Sequence, residues 1–199
     1  MLVSDKLKII FSHIPKSGGG AFRSAMIAAG SAKVVGRHHD KFSDEVIEKH
    51  PTYRRVIIVR NSYEMAVSNY RQYLTRCYAD GTRAPKADKA HRSYFNGLNA
   101  KQQAKHLRVA SKKHPFKEHA DRLWPALAQQ TLYAERATHI LYYNKLKGET
   151  HSFDKRLTIK KRVHYYGKYN WRNFYDDETR ELVAERCAKD IERFGWSFA

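Results

Sequence analysis

Lys16, Ser17 and the consecutive glycines Gly18, Gly19 and Gly20 stand together in the stretch Ile9–Phe22, IIFSHIPKSGGGAF. These residue types suit the binding of an oxyanion. Glycines let the backbone approach a phosphate closely, and the first N–H groups of a helix lack an intrahelical acceptor. Lys16 adds a mobile positive charge and Ser17 a hydroxyl donor. The apolar residues Ile9, Ile10 and Phe11 read as the end of a buried strand over Leu7–Phe11. Ala21–Ala29 is rich in helix formers. Strand, glycine turn and helix N-terminus together predict an anion cradle. A nucleoside-triphosphate loop, GxxxxGK[ST], places its Lys after the glycines. Here Lys16 and Ser17 precede them, which argues against a kinase-type phosphate site.

A second anion grip follows. Arg60 closes the run Arg55–Arg60, RVIIVR, whose unbroken apolar centre suits a parallel strand covered on both faces. Ser68 lies eight residues on, in a helix capped by Asn61-Ser62 and expected over Tyr63–Tyr78. A guanidinium holds a phosphate by a two-pronged hydrogen bond, and a hydroxyl fills a remaining acceptor.

The order HIPKSGGG resembles HIPKTGGTS, the 5′-phosphosulfate loop of the carbohydrate and membrane-type branch of sulfotransferases. The stretch RNSYEMAVSNY is similar to that branch's R-[DN]-P-x-[ED]-R-x-x-S-x-Y, with Arg60, Asn61, Glu64, Ser68 and Tyr70 matching. Ser62 and Met65 depart from it. Tyr175, Asp176, Asp177, Glu178, Val183, Asp190, Ile191, Phe194, Gly195 and Trp196 resemble the family's closing helix, as packing residues.

The resemblance implies 3′-phosphoadenosine 5′-phosphosulfate as co-substrate and no metal. It places the 5′-phosphate on Lys16 and the backbone of Ser17, Gly18, Gly19, Gly20 and Ala21. Gly20-Ala21 replaces the family's Thr-Ser, so hydroxyl donors are missing there. It assigns the 3′-phosphate to Arg60 and Ser68, and a basic loop with Lys160, Lys161, Arg162, Tyr165 and Tyr166 to the adenosine end. Sulfuryl transfer needs a base for the acceptor hydroxyl. The family's His at this place corresponds to His38 or His39 in Gly36-Arg37-His38-His39-Asp40; His39 is favoured, with Asp40 orienting it. Lys16 would stabilise the leaving phosphate. No Cys or Glu spacing supports metal ligation by these histidines.

The chain has 199 residues, enough for one domain with a real core. Short strands at Leu7–Phe11, Lys33–Val35, Arg55–Arg60 and Thr138–Tyr143 alternate with helices. The expected class is therefore α/β, a three-layer parallel β-sheet flanked by helices. The resemblance makes it the P-loop-like nucleotide-binding sulfotransferase fold, residues 1–199, with a variable acceptor-facing segment at about 79–136. Further helices are expected at Asn99–His114, within Phe116–Arg136 and at Asp176–Phe194. Residues 79–94 and 148–170 are expected to be irregular.

Lys and Arg number 38 against 20 Asp and Glu, a formal net charge of +18. Such a charge attracts polyanions and says little about fold. The two cysteines, Cys77 and Cys187, form no disulfide framework and no CxxC pair. No apolar run reaches membrane-spanning length, and no signal-peptide h-region is seen, so a cytoplasmic protein is expected. The resemblance implies sulfuryl transfer to a hydroxyl of an acceptor, a carbohydrate such as an anionic or neutral glycan. The competing classes are a non-enzymatic binder of polyanions or nucleic acid, the latter disfavoured, and a small-molecule or nucleotide kinase.

Overall fold

A computed structural model describes residues 1–30, 32–37, 39–78, 80–82, 95–122, 130–159 and 169–198. Among them one sheet is formed by β1 (Leu2–Ser4), β2 (Ile9–Phe11), β3 (Lys33–Val34), β4 (Arg54–Val59) and β5 (His139–Tyr142), in the order β3-β1-β2-β4-β5. β2, β4 and β5 are parallel, with Phe11 opposite Val56 and Ile58 opposite Leu141. The expectation of a wholly parallel sheet is corrected. β1 pairs antiparallel with β2 and with β3, so the sheet is mixed. Leu2 and Val3 supply too short an apolar run to announce a strand. The tight reversal at residues 5–8, with Lys8 at φ 56°, then folds them back along β2.

Strand residues alternate between two apolar clusters. Leu2, Ile9, Phe11, Val56 and Ile58 meet Phe22 and Met26 of α1 (Gly19–Ala28) on one side. Val3, Ile10, Ile57 and Val59 meet Val67 and Tyr70 of α3 (Ser62–Leu74) on the other. Ile57, Ile58 and Val59 have no solvent exposure. Burying each such side chain contributes about 1.5–3 kcal/mol.

The caps explain where the helices begin. Ser43 accepts from the Val46 amide at α2 (Asp44–Lys49), and Asn61 accepts from the Tyr63 amide at α3. Asn99 and Gln102 form a reciprocal capping box at α4 (Ala100–Lys113). Within 116–136 the described helices are α5 (Phe116–Arg122) and α6 (Gln130–Ala134). Part of the region expected to be irregular is helical, as α7 (Leu146–Phe153). The single closing helix is instead α8 (Asp177–Arg186) and α9 (Ala188–Phe194), divided at Cys187 with φ −100° and ψ 12°. α3 stops at Leu74 rather than Tyr78. No described helix is long and apolar enough to cross a membrane.

Candidate functional site

β2 leads into the glycine turn and β4 leads into α3, and both strand ends point the same way because the pair is parallel. Ligands in such sheets collect at these C-terminal edges. The turn is tightly wound. Lys16 has φ 65°, an uncommon left-handed backbone for a side-chain-bearing residue, and Gly18 has φ 91° as the cap of α1. Ser17 is fully buried, and its hydroxyl donates to the Ile14 carbonyl at 2.8 Å. The hydroxyl expected to serve an anion thus holds the turn in shape. The Ser17 and Ala21 amides donate to Ile14 and Gly18. Among the described residues nothing accepts from the amides of Gly18, Gly19 and Gly20, so the cradle narrows from five N–H groups to these.

Each of the first two glycines also admits a ring. A Cβ on Gly18 would stand 2.6 Å from the Tyr143 ring, and one on Gly19 would stand 2.0 Å from His13. Both contacts lie far inside van der Waals range, so no other residue fits without moving an aromatic side chain. His13, 8% exposed, is therefore part of the wall behind the helix N-terminus.

Arg60 meets this turn directly. Its Nη1 donates to the Lys16 carbonyl at 2.9 Å and its Nη2 to Glu64 at 2.8 Å. Its guanidinium lies 4.0 Å from the centre of the Tyr143 ring. Tyr143 thus stands between the glycine turn and Arg60. Burial disfavours the Arg60 charge, but the hydrogen bond and charge of Glu64 outweigh it and hold the guanidinium protonated. Its Nε is buried without a hydrogen-bond partner among the described residues. Gln130 fixes the Arg60 backbone from both sides, accepting from its amide at 2.9 Å and donating to its carbonyl at 3.0 Å. Asp190 in turn accepts from the amides of Gln130 and Thr131. The closing-helix Asp therefore acts by positioning the residue that positions Arg60.

Three cations gather at the turn. The Lys16 ammonium is pushed down to about 8, first by burial and then by the charges of Arg60 and Arg76. Such crowding of like charges is what a bound anion would relieve. Ser68 lies half-buried on α3, on the face shared by Glu64 and Arg71 at helical spacing. The Arg71 guanidinium stacks on Tyr169 at 4.1 Å. Burial raises the Tyr169 phenol above its ordinary value, against the nearby charges of Arg60 and Arg71. Tyr143, Tyr169 and Arg71 are members that sequence reasoning missed, marked only by their aromatic or basic character; His13 stands inside the HIPKSGGG motif without a role read for it.

Beyond Tyr143 a cleft of about 300 Å³ opens at the ends of β4 and β5, lined by Arg60, Asn61, Glu64, Lys145, Trp171 and Trp196 among others. Lys16 and the glycines do not line it; they reach it only through Arg60 and Tyr143.

His39 lies on the loop after β3. Its Nδ1 is 2.9 Å from the His13 carbonyl oxygen, and the His13 and His39 rings are 4.8 Å apart. A carbonyl can only accept, so Nδ1 carries the proton and Nε2 is the basic nitrogen of the neutral ring. The Tyr133 hydroxyl donates to the His39 carbonyl at 2.6 Å and fixes the loop. His38, Lys160, Lys161, Arg162, Tyr165 and Tyr166 lie outside the described residues. The described residues contain no group of three or more His, Cys, Asp and Glu able to hold a metal ion.

No protein-family model matches the chain, and no curated protein or solved structure matches it.

Proposed function

We propose that the chain transfers a sulfuryl group from 3′-phosphoadenosine 5′-phosphosulfate to an acceptor hydroxyl, on a fold of the P-loop-like sulfotransferase kind. The observation that carries this reading is the 2.9 Å bond from Arg60 to the Lys16 carbonyl. It joins two motifs far apart in sequence, each suited to one phosphate of a doubly phosphorylated adenosine. The open amides of Gly18, Gly19 and Gly20 and the crowded cations fit a multiply charged anion. The residues that would hold the nucleotide are Lys16 and those amides at one phosphate, and Arg60, Ser68 and Arg71 at the other. The aromatic cleft beside Arg60 offers ring faces to a base. When bound, the co-substrate supplies an activated sulfuryl group on a phosphate leaving group. Lys16 carries positive charge to where negative charge develops on that phosphate. His39 Nε2 takes the acceptor proton.

Two measurements test the parts of this reading. Adenosine 3′,5′-bisphosphate should raise the melting temperature more than equal concentrations of ATP or AMP. Equal shifts from all three, or none, would remove the cofactor assignment. Replacing His39 by Ala should lower turnover by about 10²–10⁴ and leave bisphosphate affinity unchanged. Retained turnover would place the base elsewhere.

A further inference from the structure

Lys16 is half-buried, and its amine joins no ion pair among the described residues. A lysine so placed ordinarily reaches out to water or pairs with a carboxylate. The carboxylate at this turn, Glu64, is committed to Arg60 Nη2 at 2.8 Å. The charges that Lys16 does meet, Arg60 and Arg76, repel it. Burial and that repulsion together hold its ammonium down to about 8. Near that pH about half of Lys16 is neutral amine, against roughly one in a few hundred for an ordinary lysine. A neutral amine is a nucleophile.

The same turn can seat a leaving group. Among the described residues the amides of Gly18, Gly19 and Gly20 at the start of α1 meet no acceptor. Arg60 is buried, and its Nε lacks a hydrogen-bond partner there while its Nη1 donates to the Lys16 carbonyl. An unpaired buried donor costs free energy that an oxyanion beside it would recover. Nucleophile and anion seat thus share one short segment.

We propose that Lys16 is an acylation site whose acyl donor is a small acyl phosphate. The donor's phosphate rests on the glycine amides and Arg60, and its acyl carbon faces the Lys16 amine. The nitrogen attacks that carbon, and the bond from carbon to the phosphate oxygen breaks. The ammonium gives up two protons in all, and both leave with the phosphate as dihydrogen phosphate. An amide remains on Lys16. The groups that seat the donor also stabilise charge developing on its leaving phosphate. Acylation cancels the Lys16 charge and fills the turn, so it switches the site off for other anions. This regulation rests on the anion-binding part of the reading above, and not on its co-substrate.

The full chain is incubated with acetyl phosphate, and acetylation of each lysine is followed by peptide mass mapping. Lys16 should react at least about tenfold faster than the exposed Lys33, Lys49, Lys147 and Lys155, given its larger share of free amine. Excess inorganic phosphate should slow Lys16 and spare the exposed lysines. With p-nitrophenyl acetate, which carries the same acetyl group without a phosphate, the preference for Lys16 should shrink. The acetylated chain should lose the thermal shift that inorganic phosphate gives the free chain. A Lys16 rate equal to that of the exposed lysines would overturn the proposal. So would an equal preference with both reagents, or a rate that inorganic phosphate leaves untouched, since Lys16 would then have no phosphate seat beside it. A phosphate shift retained after acetylation would overturn the switch. The parent sequence carries every arm, so misfolding cannot imitate these results. Failure of the transferase reading would appear instead in the comparison of adenosine 3′,5′-bisphosphate with ATP and AMP, which selects on the 3′-phosphate rather than on this turn.

Discussion

Replacing Lys16 by Met is expected to abolish sulfuryl transfer and, at the same time, to make the free protein more stable at pH 7. The two effects share one cause. Burial and the charges of Arg60 and Arg76 bring the Lys16 ammonium from its ordinary 10.5 down to about 8. Below pH 8 the group is charged in both folded and unfolded chains, and the folded chain carries the full cost. Between about 8 and 10.5 the folded chain sheds the proton first, so stability rises with pH across that window. Met removes the charge, keeps most of the side chain's length and, like Lys, has no Cβ branch to add strain to the left-handed backbone at φ 65°. The gain at pH 7 should be on the order of 1–3 kcal/mol, given that one pKa unit is 1.36 kcal/mol. A change of that size corresponds to a rise of about 3–10 °C in melting temperature. The gain should shrink as the pH is raised from 8 towards 10.5. A stability difference that is absent at pH 7, or unchanged at pH 10, would mean that Lys16 bears no electrostatic cost. Turnover should fall by at least about 10²-fold, the loss typical of one preorganised charge stabiliser. A variant with near-normal turnover would remove Lys16 from the chemistry.

The parts of this site that could be read from the sequence are those carried by short local patterns. Asn61 as a cap, RVIIVR as a buried strand and the glycine turn between β2 and α1 each depend on residues within a few positions of one another. Their meeting could only be inferred from resemblance, and the bond from Arg60 to Lys16 supplies its geometry. What stayed hidden is long-range. Tyr143 reads as the end of a strand, yet its ring fills the space above Gly18 and stacks under Arg60. Gln130 has no local signature, because both its bonds to Arg60 cross seventy residues. The antiparallel β1 was missed because three residues give no periodicity, and its pairing is decided by the reversal at residues 5–8. α7 was missed because Gly148 and the polar residues around it mask a helix whose Leu146 and Thr150 are buried. Ser17 was legible as a member of the turn but not in its role. Its hydroxyl is directed inward at the Ile14 carbonyl, a contact that residue type alone does not announce.

Arg60→Ala should lower both stability and nucleotide affinity, and a second variant separates the two effects. The guanidinium is 6% exposed and is held by the Lys16 carbonyl, Glu64 and the face of Tyr143. Removing it leaves the Glu64 carboxylate, 23% exposed, without its cation. Truncating one partner of a desolvated pair costs about 3–5 kcal/mol, and the partial exposure of Glu64 puts the expectation at the lower end. Bisphosphate affinity should fall as well, by about 1.5–3 kcal/mol for a lost charged hydrogen-bond partner. The double variant Arg60→Met with Glu64→Gln removes both charges and keeps most of the volume. It should recover much of the lost stability, since no uncompensated carboxylate remains, and recover none of the affinity. Calorimetry with adenosine 3′,5′-bisphosphate on both variants decides the matter. If affinity returned with stability, Arg60 would hold the fold and not the nucleotide, and the 3′-phosphate would have to bind elsewhere. If Arg60→Ala melted like the parent, the pair with Glu64 would be solvent-screened. The strand end of β4 would then owe its geometry to Gln130 alone, because that residue holds the Arg60 backbone whatever the side chain does.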